Sequence, residues 1–143
     1  MSAASVPRSS ISMDYFRDAF GGFFPQSDEH AAAKFALELL AAEDRIEDLV
    51  ELLTEDDPVG ALGGEPCWEL ERRDDSNTSI GYIHWPRGAK YRAWVDPEAY
   101  HLAYPERFYG KTEFHQLVRA IIDAYLARNP HDAQTVAMVA VLL

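Results

Sequence analysis

The segment that decides the fold is CWELERRDDSNTSIGYIHWPRGAKYRAWV, residues 67–95. Its hydrophobic side chains recur at every second position in three stretches, residues 67–71, 80–85 and 91–95. Such alternation is typical of half-buried β-strands. The polar and proline-glycine turns between the stretches are short, as antiparallel neighbours require. The segment therefore predicts a three-stranded antiparallel meander.

Helices are predicted ahead of this meander. Ser12 is placed to cap a short helix that ends at Phe20, and apolar residues at helical spacing follow over residues 28–54. Ser27 is the predicted N-cap of this second region, which is either one bent helix or two consecutive helices. A connection rich in proline and glycine, residues 56–64, then separates the helices from the sheet.

Helices are also predicted after the meander. Residues 100–103 are candidates for a short fourth strand at the sheet edge. Thr112 is the predicted N-cap of a long amphipathic helix that ends before Pro130, because the residue preceding a proline avoids the α region. Asp132 is placed to cap a last helix. This order predicts an α+β fold with N-terminal helices, a three- to four-stranded antiparallel meander, and C-terminal helices packed on one sheet face.

Length and charge narrow the classes of protein that fit. The 143 residues suit a single domain, residues 12–143, preceded by a flexible polar tail over residues 1–11. A net charge of −11 disfavours binding to nucleic acid and to anionic membranes. The single cysteine excludes an internal disulfide, and no apolar run reaches ~20 residues or forms a secretory signal. We expect a cytoplasmic protein.

No motif in the sequence predicts catalysis, a cofactor or a metal site. Phosphate-binding glycine loops and a nucleophile elbow are absent, and the five histidines are spread one per element. Cys67 is expected to be a buried, inert thiol. Glu69 and Glu71 share one strand face, where they are either an acid–base pair or solvent-facing residues. We therefore expect no cofactor and no metal, and a protein that is not an enzyme.

One cluster of charge exceeds that of an ordinary solvated surface. Residues 43–57 contain eight acids and a single base, Arg45. On a continuous helix six of these acids would line the face opposite the apolar residues, where like charges repel each other. The six are Glu43, Asp44, Glu47, Asp48, Glu51 and Glu55. Such repulsion favours docking of a basic protein, although an acidic face that serves only solubility has the same pattern. The candidate partner-binding residues are Glu43, Glu47, Asp48, Glu51 and Glu55.

Two tryptophans form the second candidate feature. Trp85 and Trp94 have the opposite strand parity to Tyr82 and Tyr91, which are predicted core residues. If helices cover one sheet face, the two tryptophans lie on the other face beside Arg92, in a patch suited to a protein interface. Burial beneath the apolar loop that follows the first helix is the alternative.

Two segments resemble a known family. Residues 104–114 read YPERFYGKTEF, and residues 124–130 read AYLARNP. This proline–acid–aromatic loop, helix start and helix end are similar to those of immunity proteins from bacterial polymorphic-toxin and contact-dependent growth inhibition systems. The resemblance implies a cytoplasmic antitoxin, a toxin inhibitor that binds and neutralises a cognate toxin domain, commonly a nuclease.

In such a protein the acidic residues would pair with basic residues of the toxin, and Trp85 or Trp94 would anchor the contact. The expected partner is thus a protein, not nucleic acid or a membrane. Two alternatives remain open at this point. One is a small enzyme with a pocket on the sheet that uses Glu69 and Glu71, and the other is an inhibitor or adaptor that mimics nucleic acid.

Overall fold

A computed structural model describes residues 14–57, 60–65, 67–74 and 82–143. The helices are α1 (Asp14–Phe20), α2 (Ala31–Ala42), α3 (Asp48–Leu53), α4 (Lys111–Arg128) and α5 (Ala133–Ala140), and a 3₁₀ turn (Pro130–Asp132) precedes α5. The strands are β1 (Ala61–Gly64), β2 (Trp68–Arg72), β3 (Tyr91–Val95) and β4 (Glu106–Tyr109). The predicted α+β class is confirmed. The predicted tail over residues 1–11 and the Ser12 cap lie outside the described residues.

The four strands form one antiparallel meander in the order β1-β2-β3-β4. The strand predicted over residues 80–85 is wrong in its described part, because residues 82–85 form turns. They belong to the connection between β2 and β3, which the Arg73 amide closes by donating to the Lys90 carbonyl at 2.8 Å. The aromatic rings of Tyr82 and Trp85 pack edge-to-face on each other, with centroids 5.3 Å apart. This contact joins residues three apart, which would point to opposite faces in a strand, so it belongs to a turn.

The first strand lies in the segment that was expected to be a glycine-rich connection. Gly63 is paired with Glu69, and a Cβ atom on Gly63 would lie only 2.9 Å from the Trp68 carbonyl oxygen. Glycine serves here for the close approach of two strands. The other edge strand is β4 and not residues 100–103, whose last residue, Ala103, donates to the Pro25 carbonyl.

The helical region before the sheet consists of two helices, α2 and α3, which is one of the two predicted alternatives. The break falls at Asp44, which has a left-handed φ of 57°. Aspartate tolerates this conformation better than most residues do. The Arg45 amide then donates to the Leu40 carbonyl at 2.7 Å and closes the end of α2.

Asp132 is the N-cap of α5, as predicted, whereas two other predicted helix caps are displaced by two or three residues. The N-cap of α2 is His30 and not Ser27, and Asp28 accepts a hydrogen bond from the His30 amide ahead of the helix. The N-cap of α4 is Gly110 and not Thr112. Neither cap residue forms a side-chain capping bond, so packing and not capping chemistry fixes where these helices begin.

Helices cover one face of the sheet, and we call this the inner face. Alternate residues of β2 and β3 are buried there, and they include Trp68 and Tyr91, as predicted. The Tyr91 ring stacks on Phe114 of α4 with centroids 4.3 Å apart. No helix formed by the described residues is both long and apolar enough to cross a bilayer. The opposite sheet face is left for other contacts.

Arg72 is one of two charged residues buried in the described core. Its guanidinium donates to the main-chain carbonyls of Glu51 at 2.9 Å, Leu52 at 2.6 Å and Asp57 at 2.6 Å. These carbonyls lie at and beyond the end of α3, where helix carbonyls lack partners within the helix. Arg72 therefore fastens the end of α3 to β2.

Glu38 of α2 is the other buried charged residue. It has no exposed surface, and neither carboxyl oxygen has a hydrogen-bond partner among the described residues. Burial raises the pKa of Glu38 to about 8, against smaller lowering effects of the nearby Phe16 backbone and Arg128. The protonated, uncharged carboxyl is thus the form that the fold favours near neutral pH.

Candidate protein-binding surface

The uncovered sheet face carries charged and aromatic residues in two rows that cross the strands. These residues point outward because the inward positions of β2 and β3 are occupied by the core. The strand register gives the rows as Glu71–Arg92–Phe108 and Glu69–Trp94–Glu106. We call the surface formed by these six residues the outer face.

Arg92 is the centre of the outer face. Its Nε donates to Glu106 at 2.6 Å, and its Nη1 donates to Glu69 at 2.7 Å and to Glu71 at 3.4 Å. The same guanidinium lies 5.7 Å from the ring centroid of Trp94. Because three carboxylates share one guanidinium, the outer face keeps an excess of negative charge.

Both candidate tryptophans are half-buried on this side of the sheet. Trp94 lies in β3, whereas Trp85 lies in the β2–β3 connection and packs on Phe108 with ring centroids 5.1 Å apart. Burial beneath the loop after α1 does not account for them, because Phe23 of that loop packs on Phe16 with centroids 4.2 Å apart. Both tryptophans therefore lie on the side of the sheet that carries Arg92, but neither is fully exposed and only Trp94 is part of a strand.

Part of the aromatic patch on this side of the sheet does not follow from the sequence pattern. Tyr82 was expected in the core but is only half-buried, and it packs on Trp85. Ile83, between them, is 74% exposed, which is more than ordinary for a large apolar side chain. Phe108 and Glu106 were also missed, since only the pairing of β4 with β3 brings them to Arg92 and Trp94. No signal within β4 alone identifies that register.

An open cleft of about 450 Å³ lies on the outer face. Burial raises the pKa of Glu71 in its wall, and the Glu69 charge acts in the same direction, while Arg92 opposes both. Chemically the cleft offers acceptors for a cation together with two aromatic walls. It is lined by Glu71, His84, Trp85, Arg92, Glu106 and Phe108.

The other candidate feature, the acidic segment of residues 43–57, does not form one continuous helical face. The break between α2 and α3 falls inside it, so Glu43 precedes α3 and Glu55 follows the C-cap Thr54. The expected single row of carboxylates is wrong in this respect. Glu47, the N-cap of α3, still has helical angles, which places it one turn from Glu51 on the same side.

Several acids of this segment are paired within the molecule. Arg45 contacts Asp48 at 2.9 Å and Glu43 at 3.7 Å, and Lys90 contacts Glu55 at 2.9 Å. By contrast, the structure gives the exposed residues Glu47 and Glu51 no ion pair with any described residue. The unneutralised part of the acidic segment is therefore narrower than expected and is centred on α3.

The end of the acidic segment lies close to the outer face. A second, smaller cleft of about 230 Å³ is lined by Asp57 of that segment and Glu71 of the outer face, together with Arg72, Asp74 and Tyr82. Glu71 belongs to both clefts. The two features that the sequence singled out separately thus adjoin one another on the folded chain.

The described residues contain no group of three or more histidine, cysteine or acidic side chains arranged to hold a metal ion. His30 instead hydrogen-bonds to the Tyr109 hydroxyl at 3.0 Å. Cys67 is exposed, so the expectation of a buried thiol is wrong. It precedes β2 by one residue and thus escapes the packing that buries Trp68.

Comparison of the chain with protein-family models, with curated proteins and with solved structures gives no match.

Proposed function

We propose that the protein is an immunity protein, a cytoplasmic and non-catalytic inhibitor that binds and neutralises a cognate basic toxin domain of the nuclease type. The resemblance over residues 104–114 and 124–130 supports this proposal. In the fold these segments are β4, the start of α4 and the end of α4. They are framework, so we look for the partner-binding residues elsewhere, on α3 and on the outer face.

The observation that carries the proposal is the exposed pair Glu47 and Glu51. Both carboxylates stand on one side of α3 without a cation among the described residues, in a chain of net charge −11. Adjacent unneutralised carboxylates repel each other, and a basic partner relieves that repulsion on binding. A nuclease needs lysine or arginine to hold its phosphate substrate, so the same residues of the toxin would be attracted to this surface.

In the proposed mechanism the acidic segment accelerates association and the aromatic patch holds the complex. Electrostatic attraction between α3 and the toxin raises the association rate, and this effect is screened by salt. Trp85, Trp94 and the exposed Ile83 would then be buried at the centre of the contact, where aromatic side chains contribute most. Binding would block access of the nucleic acid to the toxin.

A test uses the product of the gene adjacent to the one for this chain, which the proposal predicts to carry a basic toxin domain. We expect the wild-type chain to restore growth of cells that express this domain. In vitro, Glu47→Lys combined with Glu51→Lys should slow association about 10-fold at low salt and flatten its salt dependence. Stopped-flow mixing of the purified proteins at several salt concentrations measures both effects.

The matched control is Glu98→Lys combined with Asp123→Lys, two exposed acids outside the acidic segment and the outer face. It changes the net charge by the same amount and should alter association much less. Equal slowing by both double variants would assign the effect to overall charge and remove α3 from the mechanism. Failure of the wild-type chain to protect cells from the adjacent toxin would remove the immunity function itself.

A small acid–base enzyme is the second candidate, and the raised pKa of Glu71 inside the 450 Å³ cleft favours it. His84 lines the same cleft. Glu71→Gln combined with His84→Gln separates the two functions. If the protein acts as an enzyme, this double variant should no longer protect cells at all. If it acts as an inhibitor, the double variant should still protect cells, because its binding to the toxin is weakened but not abolished.

A further inference from the structure

The cleft on the outer face has the composition of a receptor for a cationic side chain. Two of its walls are the rings of Trp85 and Phe108, which meet at 65°, and two others carry the carboxylates of Glu71 and Glu106. An aromatic face attracts a cation, and a carboxylate accepts its hydrogen bonds. Such a combination distinguishes the cleft from a merely acidic patch of surface.

The outer face already holds one guanidinium in this way. Arg92 lies over the Trp94 ring and binds the surrounding carboxylates. The corner formed by Trp85 and Phe108 has no such cation among the described residues, although other aromatic rings in the fold, such as Tyr15 and Trp68, have one. The chemistry of a second cation site is therefore present without its cation.

The two carboxylates of the cleft, Glu71 and Glu106, outnumber the one guanidinium in its lining, Arg92, so the charge there has the sign that a further cation needs. Arg92 is shared among three carboxylates, and its contact with Glu71 is the longest of the three, at 3.4 Å. Burial and the Glu69 charge raise the pKa of Glu71, which means that its ionised form is poorly stabilised by its present neighbours. A further positive charge beside Glu71 would stabilise that form.

We propose that this cleft receives a single arginine side chain of the partner protein, with the guanidinium against Trp85 and its N–H groups donating to Glu71 and Glu106. Arginine suits the site better than lysine because its planar group both stacks on an aromatic ring and binds carboxylates through several donors. This inference rests on the proposed function, since it names one residue type by which the basic partner would be recognised.

The test uses a short probe and not the toxin. The peptide acetyl-Gly-Arg-Gly-amide is titrated into the full chain in about 0.1 M salt, which weakens unspecific attraction. The control peptide replaces arginine by citrulline, which has nearly the same shape without the charge. We follow the indole N–H signals of the tryptophans by NMR, with Trp85→Phe to assign the Trp85 signal.

We expect the arginine peptide to shift the Trp85 indole signal in a saturable manner and the citrulline peptide to bind at least about 5-fold more weakly. Trp85→Ala and Glu71→Gln should each weaken arginine binding several-fold. Asp123→Asn, a change on α4, should leave it unchanged. Glu71→Gln keeps the test valid if Trp85→Ala impairs folding.

Three results would overturn the inference. They are equal binding of the two peptides, shifts that spread over the acidic surface without saturation, and no effect of either cleft variant. Each is distinguishable from failure of the proposed function, because that failure is measured with the toxin domain and the α3 variants. The chain could protect cells through α3 while the cleft bound no arginine, and the two experiments would then give opposite answers.

Discussion

Replacement of Glu38 by glutamine should remove most of the pH dependence of stability between pH 5.5 and 8.5. Burial raises the pKa of this carboxyl from about 4.5 to about 8 in the fold, against smaller lowering effects of the Phe16 backbone and Arg128. Above pH 4.5 the unfolded chain releases the proton while the folded chain retains it. The free energy of unfolding therefore falls as pH rises, and this loss is complete above about pH 8.

The magnitude follows from proton linkage. Each pH unit between the two pKa values lowers the free energy of unfolding by about 1.4 kcal/mol. The loss is roughly 5 kcal/mol over the whole interval and about 3 kcal/mol between pH 5.5 and pH 8. The measurements begin at pH 5.5 because the isoelectric point lies near 4.7, where a chain without net charge tends to precipitate. Glutamine at residue 38 stays uncharged at every pH, so the variant should gain stability relative to wild type as pH rises.

The assay is urea unfolding followed by tryptophan fluorescence at several pH values. Glu71 and His115 also have shifted pKa values, so the informative quantity is the difference between wild type and variant at each pH. Glu98→Gln, a change at an exposed site, should follow the wild-type curve. A wild-type–variant difference that stays constant from pH 5.5 to 8.5 would refute the reasoning, because Glu38 would then be ionised in the fold.

Three further substitutions test individual contacts. Arg72→Met removes three hydrogen bonds to carbonyls at the end of α3 and should lower the free energy of unfolding by roughly 3 kcal/mol. Amide hydrogen exchange in α3 should also become faster. Unchanged exchange there would contradict the role assigned to Arg72. Tyr125→Phe deletes a hydroxyl that lies 3.1 Å from Asp44 and 2.7 Å from Asp132. We expect the free energy of unfolding, measured with urea, to fall by about 1.5 kcal/mol. An unchanged value would show that solvent replaces the hydroxyl. Gly63→Ala places a Cβ atom 2.9 Å from the Trp68 carbonyl oxygen and should lower the free energy of unfolding by about 1–2 kcal/mol. Thermal unfolding measures this as a lower melting temperature. An unchanged melting temperature would show that β1 can move away from β2.

The class of fold follows from hydrophobic periodicity, but the identity of the strands does not. The alternation in β2 and β3 is read correctly because both strands bury every second residue on one side. Residues 82–85 show a similar alternation and yet form turns, since their aromatic rings find partners in each other and in Phe108. β1 was missed because its glycines permit close strand approach, which a local pattern cannot distinguish from flexibility.

The candidate surface was also predicted only in part. Strand parity placed Trp94 outward, and acid content singled out Glu47 and Glu51. The internal pairing of Glu55 with Lys90 was not predictable, because it joins residues far apart in the sequence. The left-handed turn at Asp44, which divides the acidic segment, depends on a backbone angle that aspartate permits but does not dictate.

The β2–β3 connection has a consequence for how recognition could diversify. It is closed at its base by the bond between Arg73 and Lys90, and it carries Ile83 and Trp85 to the outer face. A loop fastened at its base tolerates replacement and changes in length at small entropic cost. Grafting a different loop between Arg73 and Lys90 should therefore redirect the protein to another target while the rest of the fold stays intact. New pairs of binder and target can then evolve by the exchange of this one connection.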